Sequence, residues 1–219
     1  PPRSTLFPYT TLFRSDFYQF DLLEEKLLAV LLADVTGHGI PAAMVSSMLE
    51  VIYYFSRGYA REPEQMLDSI NRVMCRYSHG ILLTANYLSI DLKRMTLTQS
   101  NAGHKAVLVW RKRTGELFVN KSVGRPAGVF TDSVYTAFSI PLEIGDRIIM
   151  HTDGITDSIS REDTVRADEI FRDLVRQYQD SNAEEFADRV MAVAKELSKD
   201  SPDAGLKDDA TLIVLDILE

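Results

Sequence analysis

Residues 27–35, LLAVLLADV, contain one polar side chain in nine, and that one is an acid, Asp34. So apolar a run, bounded by turn residues, reads as a buried strand. It is followed at once by TGHGIP, which places two glycines, a histidine and a proline in six residues. A carboxylate at the end of a buried strand is costly unless it is solvated, paired or metal-bound. The fold must therefore enclose residues 27–33 and open onto a polar space at Asp34.

The neighbouring segments supply layers for such a strand. DFYQFDLL, residues 16–23, reads as a second strand joined to the first through Glu24, Glu25 and Lys26. The period then becomes helical. Pro41 fits a first helical turn, and Ile40, Met44, Met48, Val51 and Phe55 form an apolar stripe ending at Gly58. A second helix is expected after Pro63, with Met66, Leu67, Ile70, Val73, Met74 and Tyr77 facing inward. Strand-like runs follow at 82–91, 96–101, 106–110, 134–140 and 147–151. Helical patterns return at 163–177 and 183–197, and ATLIVLDI closes the chain as a strand. Strands in meanders between helix pairs, without strict β-α-β alternation, predict an α+β fold: two packed antiparallel β-sheets flanked by helices.

With 219 residues, one domain is expected. Residues 1–15, PPRSTLFPYTTLFRS, repeat Thr-Leu-Phe, hold three of the eight prolines and follow neither period. They read as a non-native N-terminal graft on a domain that runs from 16 to 219, and they lack the pattern of a secretory signal. The longest uniformly apolar run, 27–33, is too short to span a bilayer, so no membrane contact is expected. The net charge of −8 and the lack of a basic stripe disfavour nucleic acid as a partner. A single cysteine, Cys75, excludes an internal disulfide and fits a reducing compartment.

Asp34 has counterparts. Asp16 opens the first strand, Asp153 follows the apolar run RIIMHT, and Asp208 with Asp209 precedes the last strand. Taken singly, each fits a solvated turn acid. Taken together they fit a site for Mg²⁺ or Mn²⁺, which prefer oxygen ligands and need a few converging carboxylates. Gly37, Gly39 and Gly154 would let backbone approach a ligand there. Spacing alone does not choose between the two readings.

Five blocks, in order, are ADVTGHGIPAAM, NAGHKAVLVW, GRPAGVF, GDRIIMHTDGITDS and KDDATLIVLDI. Together they resemble the metal-dependent serine/threonine protein phosphatases (PPM family), in the bacterial branch typified by stage II sporulation protein E and the sigma-factor-regulating phosphatases. The resemblance runs from Asp16 to Glu219 and implies the same two-sheet fold. It also implies two Mn²⁺ or Mg²⁺ ions, with Asp34 as bridging ligand and the Val35 carbonyl, Asp16, Asp153 and Asp208 as further ligands. Asp34 and Asp153 would act in catalysis through a metal-activated water. The family's two glycines before the first acid are replaced here by Arg14 and Ser15. His38 is a candidate general acid, although the corresponding histidine of the eukaryotic enzymes is displaced from it. His104 reads as a turn residue near the cleft, His151 as a core residue and His79 as a loop residue.

The expected function is hydrolysis of phosphoserine or phosphothreonine on a regulatory protein, of the anti-anti-sigma type. The chain would serve as the cytoplasmic output domain of a longer sensor protein, with a homodimer as its assembly. No covalent phospho-enzyme is required, and VMCRYS around Cys75 lacks the arginine loop that one would need. Two other readings are a non-catalytic partner-binding domain of the same fold and a hard-metal nuclease. The acid set argues against the first, and the missing basic groove against the second.

Overall fold

The computed structural model describes residues 15–23, 26–37, 39–120, 124–160, 162–198 and 209–218. Two antiparallel sheets stack face to face. The first has strand order β1-β2-β3-β4-β7 and the second β6-β5-β8-β9. The first is built from β1 (Asp16–Leu23), β2 (Leu27–Val35), β3 (Leu83–Asp91), β4 (Thr96–Ala102) and β7 (Phe138–Pro141). The second is built from β5 (Leu108–Arg111), β6 (Glu116–Val119), β8 (Arg147–His151) and β9 (Leu212–Asp216). Helices α1 (Ile40–Phe55) and α2 (Pro63–Tyr77) cover the first sheet. Helices α3 (Asp153–Ile159), α4 (Thr164–Gln177) and α5 (Ala183–Leu197) cover the second.

β2 explains why its sequence lacks polar alternation. Ala29, Leu31, Ala33 and Val35 pack under α1 and α2, whereas Val30 and Leu32 enter the core between the sheets. A strand covered on both faces has no solvent side to keep polar. Asp34 shares the inter-sheet face of Val30 and Leu32, but at the strand's end, where the sandwich opens. The third core joins Leu108, Trp110 and Ile149 of the second sheet to Phe171, Phe186 and Val190 of α4 and α5.

The expected fold class is the one observed, with local differences. The stripe expected to bury α1 is largely the wrong one: Ile40, Met44, Val51 and Phe55 are exposed, Phe55 by 82%, while Ala42, Val45, Leu49, Ile52 and Tyr53 are buried. α1 is apolar around most of its circumference, so its sequence offers two stripes at helical spacing and periodicity cannot choose between them. In α2, Met66, Leu67, Ile70 and Met74 are buried as expected, while Tyr77 at its end is exposed. The strand expected at 134–140 contracts to β7. β6 and α3, which were not anticipated, add a sheet edge and a short helix after Thr152. Residues 1–14 of the presumed graft lie outside the described residues. Ser15, the last residue of that segment, is buried and bonded into the end of the sandwich.

Candidate metal and phosphate site

The pairing register creates the site. Asp16 faces Asp34 across the β1–β2 ladder, and Asp34 faces Thr84 across β2–β3. Residues directly opposite in adjacent strands lie on one face. Asp16, Asp34 and Thr84 thus form a row at the end of the first sheet. The second sheet supplies the other wall, because β8 and β9 pair with His151 opposite Leu212. This sets Thr152 and Asp153, just after β8, beside Asp209 and Thr211, just before β9.

The two sheets are tied together through Asp16. Its Oδ2 accepts from Thr152 Oγ1 at 2.9 Å and from Thr211 Oγ1 at 2.6 Å, and Thr211 N–H donates to Thr152 Oγ1 at 2.9 Å. Burial pushes the Asp16 carboxyl up to about 7, and the carboxylates of Asp209 and Asp153 push the same way. The hydroxyls of Thr211 and Thr152 pull it back in part. Asp209 Oδ2 accepts from Ser15 N–H at 2.6 Å and from its hydroxyl at 3.2 Å. Val35 N–H donates to the Ser15 carbonyl at 3.3 Å, but the Ser15 N–H is turned to Asp209, so Ser15 donates nothing to the Val35 carbonyl. Gly154 is obligatory in this wall, since a Cβ there would lie 2.0 Å from the Asp209 carbonyl oxygen.

Between these walls is a cleft of about 170 Å³ lined by Asp34, Thr84, Gly103, His104, Lys105 and Asp153. The residues singled out in the sequence are therefore distributed as follows. Asp34 and Asp153 share the cleft, Asp16 sits across from Asp34, and Val35 ends the same strand. Asp208 and His38 lie outside the described residues. Asp209, the neighbour of Asp208, lies at the wall, bonded to Ser15. Thr84, Lys105, Thr152 and Thr211 were not anticipated. They come from positions far apart in the chain, and only the strand-end location of the latter two hinted at them.

Among the described residues, no group of three or more His, Cys, Asp or Glu side chains stands together as a formed metal cage. Asp16 and Asp209 are each turned onto hydroxyl or amide donors. The donor set nevertheless fits a hard divalent cation, being carboxylate oxygens with a main-chain carbonyl beside them. The Asp16 carboxyl is raised mainly by burial, with the carboxylates of Asp209 and Asp153 adding a smaller push in the same direction, and a cation bound beside it would offset both.

His104 occupies the opposite side of the cleft. Its Nδ1 shares a hydrogen bond of 2.6 Å with Thr84 Oγ1, and its Nε2 is buried without a hydrogen-bond partner. Burial, followed by neighbouring His151 and Lys105, lowers it to about 3, so the ring is neutral. Its turn is clamped by buried asparagines: Asn101 Oδ1 accepts from His104 N–H at 3.1 Å, and Asn86 Nδ2 donates to the Lys105 carbonyl at 2.7 Å. His151, expected in the core, is there. It lies 4.3 Å from the Phe171 ring, and its Nδ1 is bonded to the Thr152 carbonyl at 3.0 Å.

Solved structures share this architecture. The phosphatase domain of the cell fate determinant SpoIIE from Bacillus subtilis superposes with a TM-score of 0.79 at 18% identity, covering 95% of this chain and 58% of that one. The catalytic domain of the serine/threonine protein phosphatase PstP, in complex with two manganese ions, superposes with a TM-score of 0.67 at 16% identity, covering 98% and 94%. The fold is that of the metal-dependent protein phosphatases. Residues 24–218 match the family described as Stage II sporulation protein E (SpoIIE), and the chain belongs to that family. A curated relative, the phosphoserine phosphatase RsbU of Bacillus subtilis (strain 168), is 26% identical over 201 residues. The match takes in 91% of this chain and 58% of RsbU, so this chain spans little more than half of that relative's length.

Proposed function

We propose that this chain is a metal-dependent protein-serine/threonine phosphatase acting on a phosphorylated regulatory protein, of the anti-anti-sigma type, in the cytoplasm. The observation that carries the reading is the convergence of Asp34 from the first sheet and Asp153 from the second on one cleft, with Asp16 across the ladder from Asp34. Membership of the SpoIIE family and the likeness to a named phosphoserine phosphatase support the same activity.

In this reading Asp34, Asp16, Asp153, Asp208 and the Val35 carbonyl hold two Mn²⁺ or Mg²⁺ ions. When bound, the ions would supply Lewis acidity toward the phosphoryl oxygens and lower the pKa of a water. The protein's own part is positional. The β1–β2 ladder fixes two carboxylates on one face, Thr152 and Thr211 orient Asp16, and the neutral His104 with Thr84 shapes the far wall. His38, three positions after Val35 in the sequence, is assigned as an auxiliary proton donor. The domain would be the output part of a longer sensor protein and would work as a homodimer. No helix among the described residues is long and apolar enough to cross a membrane.

The test is release of phosphate from a phosphoserine-bearing anti-anti-sigma-type protein, with Mn²⁺, with Mg²⁺ and with chelator. Metal-dependent release inhibited by chelator is expected. Loss of no phosphate under any of these conditions would leave the fold without the activity.

A further inference from the structure

The cleft has acids on its walls, the chain carries a net charge of −8, and the proposed substrate is a phosphate dianion. Cations at the acids would neutralise those acids and bind part of the phosphoryl group. Its three non-bridging oxygens also need donors on the side away from the metal. Among the described residues lining the cleft, one cationic side chain is present, Lys105.

Lys105 is held at both ends. Its carbonyl accepts from Asn86 Nδ2 at 2.7 Å, and Asn86 is itself buried and bonded to Asn101 at 2.8 Å. Its ammonium pairs with Asp168 of α4 at 3.2 Å, with 23% of the lysine side chain and 36% of the aspartate side chain exposed. Lys105 also borders a second, smaller cavity lined by His151, Asp168 and Arg172, so its side chain lies between the cleft and α4. An ammonium carries three donors, and Asp168 accepts one of them.

Resting on the phosphatase reading, we propose that Lys105 is a substrate-binding residue: its ammonium donates to a non-bridging oxygen of the phosphate monoester, and Asp168 keeps that ammonium at the edge of the cleft. The monoester is already dianionic before reaction, so this contact holds ground state and transition state alike and is read mainly in KM. Simple fastening of α4 to the β4–β5 turn would instead make the pair a purely structural bridge, and the two roles give different results.

Wild type, Lys105→Gln, Lys105→Arg and Asp168→Asn are compared by titration calorimetry with inorganic phosphate in saturating Mn²⁺, by Mn²⁺ binding alone, and by kinetics on a phosphoserine peptide. The expected result for Lys105→Gln is phosphate affinity weakened about tenfold, as for loss of a charge-assisted hydrogen bond. KM should rise in parallel, kcat should change far less, and Mn²⁺ affinity should be unaltered. Lys105→Arg should recover most of the loss. Asp168→Asn, which leaves the ammonium but loosens its anchor, should cost less than Lys105→Gln. The proposal is overturned if Lys105→Gln binds phosphate as wild type does, if its loss is matched by an equal loss of Mn²⁺ affinity, or if wild type binds no phosphate. Wild type that binds phosphate through Lys105 but hydrolyses no phosphopeptide would sink the phosphatase reading alone.

Discussion

Asp16 lies directly across the β1–β2 ladder from Asp34, the only carboxylate pair in register on those two strands. Neither acid is brought there by a loop. The buried strand β2 and the edge strand β1 paired to it deliver both, so the separation of the carboxylates is set by sheet geometry. Rigid elements hold a site more accurately than loops do. A one-residue slip of β1 would send Asp16 to the helix-covered face.

Asp34 is the acid most exposed to test. Asp34→Asn preserves shape while removing charge from the proposed bridging position, so hydrolysis should fall by about 10³-fold, as expected for a loss of several kcal/mol of transition-state stabilisation. Mn²⁺ affinity should fall with it, whereas His38→Ala should keep substantial activity. Steady-state kinetics beside Mn²⁺ titration checks this. Retention of activity by Asp34→Asn within a few-fold of the parent would contradict the two-ion assignment.

Proton and cation compete for Asp16. With its carboxyl near 7, a ligand that must be ionised to bind metal is mostly protonated at pH 6 and mostly ionised at pH 8. Mn²⁺ affinity should therefore rise roughly tenfold across that interval, with proton release on binding. Thr211→Val removes a hydroxyl that favours the ionised form, so the midpoint should move to higher pH. Stability of the cation-free protein has the opposite dependence: a carboxyl raised on folding from 3.8 to about 7 costs stability as pH climbs through that window. Mn²⁺ titrations at several pH values decide the matter, and an affinity flat from pH 6 to 8 would rule out Asp16 as a ligand.

His151 gives an acid limit to stability. Burial lowers it to about 4 in the folded chain, against about 6.5 when unfolded. The unfolded state thus binds the additional proton between these values, and stability is lost as pH falls from about 6.5 toward 4, by at most about 1.4 kcal/mol per pH unit from this group. His151→Phe should flatten that part of the profile, whatever it does to the absolute stability. Urea unfolding at pH 7, 6 and 5 measures both slopes, and equal slopes would show that His151 carries no part of the acid sensitivity.

How much of this was legible in the sequence depended on distance along the chain. Asp34 was legible because one acid interrupts an apolar run, and Asp153 because it follows another. The fold class followed from where the strand and helix periods alternate. The buried face of α1 was not legible, since Val45, Leu49 and Ile52 compete with Ile40, Met44 and Val51 at the same spacing. The clasp of Thr152 and Thr211 on Asp16 joins residues 136 and 195 positions apart, and no local pattern encodes it. α3 escaped notice because TDGITDS is turn-like in composition, although Asp153 suits the first turn of a helix.

Asn71 shows how a helix away from the cleft is bound to it. Buried on α2, it donates from Nδ2 to the Phe130 carbonyl at 2.9 Å and accepts at Oδ1 from Gly128 N–H at 2.9 Å, so one amide closes the loop that holds GRPAGVF. That loop pairs with β3 through Leu83 and Ala127, exchanging bonds of 3.0 and 2.9 Å. It also presses on the turn behind His104, where a Cβ on Gly124 would stand 1.9 Å from the Asn101 carbonyl oxygen. Asn71→Ala leaves the part-buried Gly128 N–H and Phe130 carbonyl without their side-chain partner and should cost about 2 kcal/mol of stability. Because Asn101 in turn holds His104 N–H, the same change should lower kcat/KM more than a comparably destabilising core substitution such as Leu67→Ala, with Mn²⁺ affinity little altered. Urea denaturation and kinetics on both variants make the comparison. Equal effects on turnover at equal stability would mean that the loop is anchored for folding alone and does not brace the cleft.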